Sequence, residues 1–220
     1  MNERLGFLAH EFRNLVNKAM LAVDAIKSGN VGIAGSTGAI LDRSLKGLQN
    51  LCDLVLVDVR LRAGLPKQRE RVSVSEFIEE TEVSAEIDAK TRGLELIVHD
   101  VELGLTIEVD REILEGAVAN LLQNAFKFTR FQSRVSLKTF SSLDRVLIEV
   151  EDECGGLPTG DAEDLFRLFE QRSRDRSGLG LGLGISRRGI EANGGELRVR
   201  NLPGRGCVFT IDLPKSSPAE

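Results

Sequence analysis

The chain has 220 residues, 41% of them apolar, and carries 29 basic against 34 acidic side chains for a formal charge of -5. That length supports one ordinary core plus a small second unit, and slight acidity without a long basic block argues against nucleic acid as the main partner. No apolar run approaches the roughly 20 residues that span a bilayer, and no signal-peptide pattern opens the sequence, so a soluble, cytoplasmic segment without membrane contact is expected.

Residues 1–64 read as a helical hairpin. Leu5, Leu8, Phe12, Leu15, Ala19, Ala22 and Ile26 recur at heptad spacing, as do Leu41, Leu45, Leu48, Cys52, Val55 and Val59. Gly29, Gly32, Gly35 and Gly38 break the chain between the two runs. The second helix carries further apolar residues, Ile40, Leu51, Leu54 and Leu56. One partner helix cannot cover them all, so two hairpins are expected to pack as a homodimeric four-helix bundle. His10 lies two residues from both Leu8 and Phe12, which points it away from the seam. Beside it, Glu11 could orient or deprotonate the ring, and Arg13 and Asn14 lie within one turn for phosphate contact and water positioning.

Residues 65–71 are polar and contain Pro66, which suits a hinge, and a second domain is expected over 72–214. Val72 and Val74 suggest a short strand, with Ser73 and Glu76 as a capping box before a helix through about Lys90. Strands are predicted at 94–98, 105–109, 135–140, 145–151, 197–200 and 207–213, and helices near 111–128 and 181–193. The order is that of an α+β sandwich, an open sheet with helices on one face.

Three constellations in this domain bear on chemistry. Along the helix at 111–128, Asn120, Asn124 and Lys127 form one polar stripe beside the buried face. Such a stripe suits Mg²⁺ at the Asn124 amide oxygen and a phosphate at Lys127. Asp152 ends an alternating strand and is followed by Gly155 and Gly156, where a fixed carboxylate can accept from an exocyclic amine such as adenine N6 and would repel the guanine carbonyl. The alternating glycines Gly178, Gly180, Gly182 and Gly184 precede a helix and can converge N–H groups on anionic oxygens. Neither a Walker loop nor a dinucleotide fingerprint fits them. Between the last two motifs, a charged stretch with Phe166 and Phe169 reads as a lid. The three cysteines, Cys52, Cys154 and Cys207, lack C-x-x-C spacing and read as free thiols in a reducing compartment.

Taken together, His10-Glu11-Phe12-Arg13-Asn14, residues 120–129, 152–158, 166–169 and 178–184 resemble the H, N, G1, F and G2 boxes of bacterial sensor histidine kinases. The resemblance implies a dimerisation and phosphotransfer hairpin followed by a Bergerat-type ATP-binding domain with a mixed sheet. It implies ATP and Mg²⁺ as cofactors, His10 as phosphoacceptor with Glu11 as its acid/base partner, and Asn124 as metal ligand. It further implies that Asn120, Lys127, Asp152, Gly156, Phe169, Gly178, Gly180 and Gly182 bind nucleotide, and that a response-regulator receiver domain takes the phosphoryl group. Asn14 stands where members with phosphatase activity place a water-orienting Thr or Asn. The alternative is a phosphotransfer protein or phosphatase with weak or no ATP turnover. The chain departs from the pattern at Leu15, where a proline is usual, at Cys154, which replaces a glycine, and at Leu179, which replaces Thr or Ser. Nine residues precede His10, too few for a sensor, which fits the cytoplasmic part of a longer receptor.

Overall fold

The computed structural model describes residues 2–29, 31–63, 68–157, 162–166 and 182–216. It divides into two compact units, Met1–Val59 and Arg60–Glu220. No helix among the described residues is long and apolar enough to cross a membrane.

The first unit is built from helices α1 (Asn2–Lys27) and α2 (Ser36–Ala63). α1 stops at a left-handed Gly29 (φ 74°), whose N–H reaches the Ile26 carbonyl while Ser28 Oγ donates to Ala25 O at 2.7 Å. Among the described residues, Ala19, Ala22, Ser44 and Leu51 are the buried side chains of this unit. Gly47 lets the helices approach, since a Cβ there would sit 3.0 Å from Leu15 Cδ2. The inward face of α2 therefore differs from the one that spacing suggested. Leu51, read as surplus, is buried, whereas Leu45 and Val59, read as seam, are each 53% exposed, and Cys52 is exposed as well. Small residues at the contact drew the helices together along a neighbouring stripe. Among the described residues, Ile40, Leu45, Cys52, Leu56 and Val59 on α2 and Phe12, Met20 and Leu21 on α1 remain outward.

The second unit holds a five-stranded mixed sheet in the order β2-β4-β5-β7-β6, comprising Glu95–Val98, Arg134–Ser142, Arg145–Asp152, Gly206–Pro214 and Glu196–Leu202. β2 runs parallel to β4 and the other neighbours are antiparallel. A separate ribbon pairs β1 (Arg69–Ser73) with β3 (Thr106–Asp110). Helices α3 (Val74–Thr91), α4 (Arg111–Phe128) and α5 (Gly182–Ala192) and a 3-10 turn at Ala162–Phe166 complete the unit. In β5, Val146, Ile148, Val150 and Asp152 alternate as buried residues, the period expected of a strand with one face on a core. Leu114, Ala117, Val118, Leu121 and Ala125 of α4 join that same core at helical spacing.

Two local expectations are corrected. Val74 opens α3 instead of extending a strand, and Ser73 makes no side-chain cap, its hydroxyl lying 3.2 Å from Ser75 Oγ instead. β1 begins at Arg69 and is mostly exposed, so its pairing with β3 left no apolar alternation to read. Asp110 does cap its helix, accepting from Ile113 N at 3.3 Å, and its own N–H donates to the buried Asn193 Oδ1 at 2.9 Å.

Candidate functional site

α4 carries Asn120, Asn124 and Lys127 on one face, and all three are half-buried at the edge of the core. Asn120 faces α5: its Nδ2 donates to Ser186 Oγ at 3.1 Å. A Cβ at Gly182 would lie 2.2 Å from Asn120 Oδ1, so any larger residue there would displace the Asn120 amide. Asn120 thus positions the start of α5 relative to α4. Lys127 Nζ lies 4.8 Å from the centroid of the Phe128 ring. At the end of α4, Thr129 Oγ1 is buried and has no hydrogen-bond partner among the described residues. An orphaned hydroxyl costs desolvation unless something completes it. Separately, the half-buried Asn124 offers an amide oxygen, a hard donor of the kind Mg²⁺ takes.

Asp152 sits at the end of β5 and is 5% exposed. Its Oδ1 accepts from Cys154 N at 3.0 Å and Cys207 N at 3.1 Å, and its Oδ2 accepts from Cys207 Sγ at 3.1 Å. Gly206 makes this approach possible, because a Cβ there would stand 1.7 Å from the Asp152 carbonyl oxygen. Beyond Asp152 the chain turns through Gly155 (φ 95°) and Gly156 (φ 106°), conformations that L side chains rarely adopt. Gly155 N donates to Arg205 O at 2.9 Å and Leu157 N to Asn201 Oδ1 at 2.9 Å, which pins the turn to β6 and the loop after it. Cys154 Sγ lies 3.9 Å from Cys207 Sγ. The hydrogen bond with Cys154, burial and the Asp152 charge push the Cys207 thiol up. The hydrogen bond shared with Cys207 holds the Cys154 thiol below its usual range. All three cysteines are free.

The 3-10 turn is fastened to α5 by Arg187, which pairs with Glu163 and lies 4.8 Å from the Phe166 ring centroid. Phe166 is buried. Phe169, Gly178 and Gly180 lie outside the described residues. Gly182 and Gly184 belong to the first turn of α5, so the last glycines of the comb are helical.

On α1, His10 is exposed, and Asn14 Nδ2 lies 3.1 Å from its Nδ1. Arg13 is exposed on the same helix, and the Glu11 side chain is outside the described residues. A groove of about 400 Å³ runs between α3 and α4, lined among others by Glu80, Asp88 and Glu115. It opens on a different face of α4 from the Asn120–Lys127 stripe, and its carboxylates suit a triphosphate poorly.

Sequence reading missed Ser186, Asn193, Asn201 and the carboxylate contact of Cys207. Each acts on a group far away in sequence, and only strand pairing brings Cys207 beside Asp152.

Residues 109–217 match the family of histidine kinase-, DNA gyrase B-, and HSP90-like ATPases. Sensor protein KdpD of Mycobacterium tuberculosis is 30% identical over 97% of this chain and 26% of its own length. Adaptive-response sensory kinase SasA of Synechococcus sp. (strain CC9311) is 29% identical over 96% of the chain and 56% of its own length. Full-length ShkA, crystallised in complex with AMPPNP, is similar in structure with a TM-score of 0.71 and 26% identity, covering 99% of this chain and 47% of that one. The chain thus spans about a quarter of the length of the first of these relatives and just over half of the second. From the ATPase match and these likenesses, the chain belongs to the histidine kinase family of two-component signalling, with residues 109–217 as its ATP-binding domain.

Proposed function

We propose that this chain is the catalytic core of a sensor histidine kinase that uses ATP to phosphorylate His10 and passes the phosphoryl group to an aspartate of a response-regulator receiver domain. The buried carboxylate of Asp152 carries the reading. Two backbone N–H groups occupy its Oδ1, whereas Oδ2 accepts, among the described residues, a weak thiol donor and keeps capacity for another. Adenine N6–H₂ meets that need and the guanine carbonyl does not. A charge-assisted bond of this kind is worth about 1.5–3 kcal/mol. Gly156 lets the backbone approach the base, and Phe169 covers the nucleotide.

Lys127 meets the phosphates as a point charge, and Asn120 sets the start of α5. The N–H groups of Gly178, Gly180 and Gly182 cradle phosphate oxygens ahead of that helix. The Asn124 amide oxygen would hold Mg²⁺, which when bound would supply charge neutralisation at the phosphates. The His10 imidazole attacks the γ-phosphorus in line, the bond to the bridging oxygen breaks, and Glu11 takes the ring proton. Attack through Nε2 needs the proton on Nδ1. Asn14 holds that tautomer in the resting ring when its amide is turned so that Oδ1 accepts from Nδ1–H, and the proton passes to Glu11 once the Nε2–P bond forms. Arg13 contacts the transferred group.

The outward stripe of α2 supports a homodimer in which a second hairpin completes a four-helix bundle. Reaction with ATP sets the segment in the cytoplasm. Asn14 beside His10 also supports a second activity, dephosphorylation of the regulator by an oriented water. The likeness to ShkA, described in complex with AMPPNP, and to two proteins named as a sensor and a sensory kinase supports the same reading.

The test is incubation of the chain and of His10→Gln with Mg²⁺ and γ-labelled ATP. Acid-labile, base-stable label that vanishes in the variant is expected. Label surviving in His10→Gln, or none on either protein despite ATP binding, would overturn the assignment.

A further inference from the structure

Cys154 and Cys207 form a thiol pair that the kinase reaction leaves unused. Their sulfurs are 3.9 Å apart, and together with an Asp152 carboxylate oxygen they lie within 4.8 Å of one another. Backbone hydrogen bonds, not side-chain rotation alone, hold them face to face. Cys207 is paired with Asp152 across β5 and β7, Cys154 N is bound to Asp152 Oδ1, and the next residue's N–H is bound to Arg205 O. Cys207 is 2% exposed, whereas Cys154 is half-buried, so a small oxidant meets Cys154 first.

We propose that Cys154 and Cys207 are a peroxide-oxidisable dithiol, a modification site whose disulfide disables nucleotide recognition at Asp152. The effect on nucleotide rests on Asp152 being the adenine acceptor. The Cys154 thiolate attacks one oxygen of hydrogen peroxide; the O–O bond breaks and the departing hydroxide is protonated to water, leaving a sulfenic acid. The Cys207 sulfur then attacks the Cys154 sulfur, the S–O bond breaks, and the hydroxide leaves with the Cys207 proton as a second water. Two thiols are oxidised and one peroxide is reduced. The thiol shifts fit this order, with Cys154 ionising before Cys207.

A disulfide is about 2.05 Å long, so the sulfurs must close by about 1.9 Å from their present 3.9 Å. Closure withdraws the Cys207 thiol from Asp152 Oδ2 and drags the two backbone donors that hold Oδ1. The carboxylate then loses the placement that adenine needs.

The experiment treats the full chain with hydrogen peroxide, maps non-reduced peptides by mass spectrometry, and measures ATP affinity before oxidation, after it, and after dithiothreitol. A linked Cys154–Cys207 peptide is expected, with ATP binding weakened by at least about tenfold and restored by the reductant. Peroxide should leave the ATP affinity of Cys154→Ser and of Cys207→Ser where it was in each variant. The absence of a linked peptide, or a linked peptide with unchanged affinity, overturns the proposal. Failure of the reduced chain to bind ATP instead overturns the nucleotide reading and the switch with it, while the linked peptide still reports on the dithiol by itself.

Discussion

Asp152 and the glycine that admits it show how single residues set the site. Asp152→Asn puts an N–H₂ group among the Cys154 and Cys207 backbone donors, or turns it out and loses the charge. The expected result is weaker ATP binding by about ten- to a hundredfold, read by calorimetry, with a smaller loss of thermal stability. Gly206→Ala attacks the same spot from below, since backbone carbonyl stands 1.7 Å from the new Cβ and cannot move aside cheaply. We expect a loss of about 3 kcal/mol or more in urea denaturation. Gly116→Ala is the opposing case: it sits exposed within α4 with nothing within 4 Å of a new Cβ, and should stabilise by about 0.5–1 kcal/mol. If both substitutions behave alike, the contact geometry at Gly206 is wrong.

At the scale of elements, α5 is held by polar contacts at both ends. Near its start Asn120 reaches Ser186; just past its end the buried Asn193 accepts from Asp110 N and donates to Gly189 O at 3.3 Å. Asn193→Ala strips the partner from a buried backbone N–H and should cost about 1–3 kcal/mol. Because Asp110 caps α4, the loss should also show as faster amide exchange in the first turn of α4. Exchange confined to α5 would mean that the two helices are not coupled through this asparagine. The elements themselves were largely legible. The helix predicted over 111–128 has those bounds, and the strands fall within a residue or two of their predicted positions. Alternation and the 3.6-residue period are local signals, so they survive without tertiary information. The failures were at Ser73 and β1, where exposure removes the apolar pattern and a cap depends on one rotamer.

For the whole molecule, the hairpin leaves Leu45, Leu56 and Val59 more than half exposed in a row. Replacing Leu45 and Val59 by lysine adds charge to the stripe that a second hairpin would cover. Sedimentation should then report a monomer where the unsubstituted chain is a dimer, with helicity retained. An unchanged dimer would locate the interface on another face. Sequence alone determined most of the helices and strands of the second unit, because these rest on a periodicity that each segment carries with it. Only the tertiary structure decided which stripe of α2 turns inward, that Asn120 serves the start of α5, and that Cys154 and Cys207 converge on Asp152. Those facts follow from helix packing and from the register of β5 against β7, the latter joining residues more than fifty positions apart. No local pattern encodes such a meeting.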